Sequence, residues 1–124
     1  KRKRKKCHTC NPRKHVKEHL ISKIEHMGFY HDMCNRNIIL AIPLKHILNF
    51  NEQNVEMVGK TFKIIEQFCL EWNITNYSIS FDITQLDQEN NHKHLSIKIK
   101  VGEDTVKRIR DDHFKLKELQ KRYQ

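Results

Sequence analysis

A chain of 124 residues, 37% apolar and 31% charged, has material for one modest core and not for two. Three Gly and two Pro, with no GxGxxG or GKS/GKT string, argue against dinucleotide and P-loop phosphate sites. The formal net charge of +9 favours polyanionic partners, and no apolar run approaches the ~20 residues of a membrane-spanning helix.

The first residue is Lys rather than Met, so the chain is expected to be a processed product or part of a longer one. Its cationic start lacks the apolar segment of a secretory signal. Four Cys in a basic chain of this kind fit a reducing, intracellular setting, where a close Cys pair binds metal or stays free.

The charge is segregated. Residues 1–25 hold ten Lys/Arg against two acids, residues 26–102 seven against eight, and residues 103–124 seven against five. Lys1, Arg2, Lys3, Arg4, Lys5 and Lys6 form a polycationic arm, which Arg13, Lys14, Lys17 and Lys23 extend. Each phosphate neutralised by such an arm releases counterions, so nucleic acid is the expected partner. A nuclear-import patch and a solvated arm are the competing readings. A membrane partner is not expected, because no aromatic residue falls among the first 28 to anchor the charges in a bilayer.

Cys7-His8-Thr9-Cys10 follows the arm. Asn11 and Pro12 then open an expected helix, with Val16, Leu20, Ile24 and Met27 on one face and Gly28 at its end. Phe29 to Asn37 reads as a polar turn region containing His31 and Cys34. Ile38 to Ile42 reads as a short buried strand stopped by Pro43.

The strongest pattern spans Phe50 to Trp72. Val55, Val58, Phe62, Ile65, Cys69 and Trp72 recur at steps of three and four, the period of an amphipathic helix. Asn51 suits its N-cap, Phe50 and Val55 a hydrophobic staple, and Asn73 a left-handed stop. Cys69 falls on the buried stripe as a core thiol.

Tyr77, Ile79, Phe81 and Ile83 alternate with polar residues, as do Leu95, Ile97, Ile99 and Val101. These predict two half-buried strands joined by the polar stretch Gln85 to His94, paired antiparallel. Their solvent face would show Ser78, Ser80, Lys98 and Lys100, a mildly cationic surface. Asp104 suits the cap of a last helix reaching Tyr123, ~30 Å long and able to project toward a protein partner.

The predicted fold class is α+β. From Ile38 onward the order is β-α-β-β-α, the ferredoxin-like order without its last strand, with an extra N-terminal helix. Residues 1–34 group as basic tail, Cys/His knuckle and helix, and residues 35–124 as the α+β body.

Two constellations bear on chemistry. Cys7, Cys10, His26 and His31 approximate the spacing of a zinc site, with Cys34 as an alternative fourth ligand. Such a closed site would be structural, and free thiols with surface histidines are the competing reading. His92 and His94 flank one residue at the mouth of a strand, as in metal-dependent single-strand nucleases, although Lys93 stands where an apolar residue is usual. No nucleophile elbow or paired carboxylate motif is present.

The residues therefore predict a non-enzymatic nucleic-acid-binding protein, with RNA favoured over DNA, in a ribonucleoprotein assembly. The predicted contacts are the ten tail cations, Lys98 and Lys100. The alternatives are a protein-interaction module with an import-type tail and the paired-histidine nuclease. The expected location is the nucleus or another ribonucleoprotein-containing compartment.

Overall fold

The computed structural model describes residues 19–32, 34–45, 47, 50, 53–81 and 94–122. These build one antiparallel sheet from β1 (Leu20–Ile24), β2 (Met27–His31), β3 (Ile38–Pro43), β4 (Ser78–Ser80) and β5 (Ile97–Lys100). The spatial order is β1-β2-β3-β5-β4. Helix α1 (Val55–Glu71) connects β3 to β4, and α2 (Glu103–Arg122) follows β5.

The α+β class stands, and from Ile38 onward the chain runs β-α-β-β-α as expected, with β5 between β3 and β4. The ferredoxin-like order as a whole is not confirmed, because β1 and β2 extend the sheet beyond β3. Over residues 20–28 the expected N-terminal helix is replaced by strand; its earlier part lies outside the described residues. Leu20, Ile24 and Met27, which fit a helical stripe, belong instead to a β1–β2 hairpin in which Ile24 pairs with Met27. Glu25 at its turn takes φ 52°, the left-handed backbone that two-residue hairpins use. Residues 29–31, read as a turn region, complete the interior strand β2, paired in full register with β3 from Met27↔Pro43 to His31↔Ile39. Both strands lie on the tail side of the expected boundary at residue 35, yet they join the body's own sheet.

Strand alternation divides the sheet into two faces. The inner one carries Met27, Phe29, Ile39, Ala41, Ile97 and Ile99, all fully buried. Helix α1 covers it with Thr61, Ile64, Ile65, Phe68 and Cys69. Phe29 and Phe68 stack with ring centroids 4.1 Å apart and planes 1° apart. Ile65 and Cys69 of the predicted stripe are buried, with Ile64 and Phe68, which widen it, beside them; Thr61 is buried as well, and Val55 is 89% exposed, so it staples nothing. Asn54, not Asn51, caps the helix, its Oδ1 accepting from the Met57 amide at 2.7 Å. The predicted stop holds, with Asn73 at φ 55°. Cys69 is the buried core thiol expected, and burial pushes its pKa up to about 11.

Helix α2 is anchored by its first turns, through the buried Val106 and Ile109, and His113 farther along lies near the His31 ring, centroids 6.2 Å apart. Arg108 ties it to the end of α1, donating from Nη1 to the Trp72 carbonyl at 2.8 Å and from Nη2 to the Asn73 carbonyl at 3.1 Å. Farther along, Phe114, Leu116 and Leu119 are exposed. Among the described residues, no helix is long and apolar enough to cross a membrane.

Candidate functional site

The outer face of the sheet, turned away from α1, carries the site. Register places Tyr30, Leu40, Lys98 and Ser80 in one row across β2, β3, β5 and β4. The next row holds Ile38, Lys100 and Ser78. Lys23 of β1 pairs with Gly28 and shares the face from the opposite edge.

Two Lys–Ser cross-strand pairs, Lys98 with Ser80 and Lys100 with Ser78, therefore stand side by side. Directly opposed side chains in such pairs lie ~5 Å apart at Cβ. Two ammonium groups and two hydroxyls grouped in this way suit a phosphate, with the lysines supplying charge and the serines directed hydrogen bonds. The short edge strand β4 leaves both serines exposed.

The other end of the row is aromatic and apolar. Tyr30 is half-buried, and burial raises its pKa above the usual phenol value. Its side chain leans back over Gly28, filling the space that a Cβ there would need. Leu40 and Ile42 continue the apolar floor toward β5. Tyr30 and Lys98 are two strand spacings apart, ~10 Å between Cα atoms.

His94 stands at the entrance to β5. Its Nε2 donates to the Pro43 carbonyl, 2.6 Å away at the end of β3. A carbonyl only accepts, so Nε2 of the ring carries a proton. This main-chain contact orients the imidazole.

The predicted zinc set does not close. His26, in the β1–β2 turn, is engaged with Thr61 Oγ1 at 2.9 Å. His31 is at the opposite end of β2, five strand residues and ~16 Å further on. One ion cannot bridge that span. Among the described residues, no three His, Cys, Asp or Glu side chains converge as a metal site. Cys34 is an exposed free thiol beside Asp32, whose carboxylate accepts from the Cys34 and Asn35 amides.

Lys1, Arg2, Lys3, Arg4, Lys5, Lys6, Arg13, Lys14 and Lys17, with Cys7 and Cys10, lie outside the described residues, as does His92. Lys23, Lys98 and Lys100 are brought onto one face of the sheet. Tyr30 escaped the sequence reading because it fell in a presumed turn; only its pairing with Leu40 shows its strand parity.

No known protein family and no curated protein matches the sequence. The fold does have solved likenesses. One is a "Hit Like Protein", 18% identical, with a TM-score of 0.54 over 67% of this chain and 84% of that one. A HIT family hydrolase from Legionella pneumophila Philadelphia 1 is 15% identical, with a TM-score of 0.52 over 68% and 80% of the two chains. A HIT family hydrolase from Clostridium thermocellum is 18% identical, with a TM-score of 0.50 over 67% and 77%. At these identities the shared property is the fold.

This likeness to hydrolases contradicts the expectation of a non-enzymatic RNA-binding component of a ribonucleoprotein, and the nuclear location finds no support. For the paired-histidine nuclease, no metal-ligand group converges beside His94 among the described residues, and His92 lies outside them.

Proposed function

We propose that this chain binds a nucleotide, a small phosphorylated ligand with a planar base, on the outer face of its sheet. One observation carries the reading: Tyr30 and Lys98 share a row, separated by Leu40 and bordered by Ser80, on a fold shared with HIT family hydrolases. The base would lie against Tyr30 and the apolar floor. The phosphate would be held by Lys98 and Lys100 with the hydroxyls of Ser80 and Ser78. The ~10 Å between the two ends suits one nucleotide and not a long duplex.

A second reading, hydrolysis of the bound nucleotide, is favoured by the fold's likeness to HIT family hydrolases.

Calorimetric titration of the full chain with AMP, GMP and inorganic phosphate tests the first reading. Nucleotides should bind more tightly than phosphate, and Tyr30→Ala and Lys98→Ala should each weaken them. Equal binding of phosphate and nucleotide would overturn it. Release of phosphate or nucleoside from the same compounds tests the second.

A further inference from the structure

The distal half of α2 stands clear of the body. From Asp111 to Leu119 every described side chain is exposed except His113, which is half-buried. Phe114, at 67% exposure, and Leu119 border a shallow groove on the outside of the helix. Lys115 and Glu118 form its other two sides.

Charge on this stretch is ordered. Asp111, Lys115, Glu118 and Arg122 recur at steps of four, three and four. These positions share one helix face, opposite to the side that Val106 and Ile109 turn to the core. Along that face the signs alternate: minus, plus, minus, plus. Two ordinary explanations do not cover the pattern. Acids at a helix N-terminus complement its dipole, but that effect fades within the first turn, and Asp111 stands in the third turn of α2. Residues four apart can pair along a helix, but Asp111 and Lys115 form no ion pair with each other.

The alternation is complementary to itself in reverse. Two such helices laid antiparallel, centred between positions 116 and 117, set Asp111 level with the partner's Arg122 and Lys115 level with the partner's Glu118. The groove is centred at the same height, so Phe114 and Leu119 flank the charges and pack on aliphatic stems such as that of Lys115. A parallel pair in register would set like charges together at every level, which is costly. A nucleic acid would meet a carboxylate at every second position. We infer that this chain dimerises through the last three turns of α2, packed antiparallel against those of a second copy. The stretch from Asp111 to Arg122 is ~18 Å long. A contact of that length is small, so the dimer is weak, with a Kd on the order of 10 µM or higher. This surface is distinct from the nucleotide face and does not depend on that reading.

Sedimentation velocity of the full chain, from about 5 to about 500 µM, tests the inference. The wild type should pass from monomer to dimer as concentration rises. Glu118→Lys and Lys115→Glu, both at exposed positions, should each weaken the dimer at least about tenfold by opposing like charges. Mixed in equal amounts, these two variants should recover the dimer, because each then meets the opposite sign. The double variant, Lys115→Glu with Glu118→Lys, should dimerise as the wild type does. A wild type that stays monomeric throughout would overturn the inference. A dimer that Glu118→Lys leaves unchanged would place the contact on another surface and overturn it too. A mixture of the two single variants that recovers no dimer would exclude the antiparallel pairing.

Discussion

A Cβ added to Gly28 would lie 2.9 Å from Cε1 of Tyr30, so the smallest residue on β2 makes room for the only described aromatic on the outer face of the sheet. That distance is closer than such carbons approach, and Leu44 Cδ2 at 3.4 Å closes the other side. Gly28→Ala must therefore push the phenol off its seat. The expected cost is roughly 1–3 kcal/mol of stability, measured by urea unfolding, together with weaker nucleotide binding. Tyr30→Ala should keep most of the stability and lose roughly 1–3 kcal/mol of binding, the value of stacking one base.

The lysine pair should act through charge. Lys98→Ala and Lys100→Ala should each remove a charge-assisted contact, worth about 1.5–3 kcal/mol. Both variants should bind with less salt dependence than the wild type, because fewer ions are displaced. Unchanged salt dependence in both variants would move the phosphate elsewhere.

His94 ties the entrance of β5 to the end of β3. His94→Gln retains an N–H for the Pro43 carbonyl, whereas His94→Ala leaves that oxygen without its 2.6 Å donor. Loss of the hydrogen bond should cost about 1 kcal/mol in the alanine variant alone, read from urea unfolding. Equal stability of the two variants would remove this contact from the account.

Stability should depend on pH through His26. Its folded pKa is below the ordinary 6.5, first because of burial, then because of Lys60, with Glu25 acting in the opposite sense. Lys60 and Glu25 are themselves paired at 2.9 Å, and Lys45 and His26 both line a small cavity at the end of the sheet. Above 6.5 the ring is neutral in both states and its contribution is complete. As pH falls below that value the unfolded chain takes up the proton first, and the contribution is lost as pH falls through the folded pKa. Urea midpoints measured from about pH 8 to about pH 5 should therefore fall more in the wild type than in His26→Gln. Parallel midpoints would remove His26 from the account.

The core gives the largest expected effect. Phe68 is fully buried and stacks on Phe29, so Phe68→Ala should cost about 3–5 kcal/mol. Arg108→Ala should cost roughly 1.5–3 kcal/mol by leaving the Trp72 and Asn73 carbonyls without their donor. Because Arg108 is partly exposed, the lower end of that range is expected; both values can be read from urea unfolding.

The sequence by itself determined the elements whose periodicity is long or whose punctuation is local. Helix α1 was legible from its spacing, its stop from Asn73, and β3 and the β4–β5 pair from apolar runs and alternation. The solvent face bearing Ser78, Ser80, Lys98 and Lys100 was legible for the same reason: side chains alternate along a strand whatever packs behind it. Only the tertiary structure decided the first hairpin, because Leu20, Ile24 and Met27 satisfy a helical period and a strand pair equally well, and the pairing of β2 with β3 settles between them. Only it decided the site. Tyr30 shares a row with Lys98 through register across three strands, His94 reaches a carbonyl 51 residues away, and His26 and His31 are held apart by the length of β2. Such relationships depend on which strands become neighbours, and spacing along one chain carries no record of that choice.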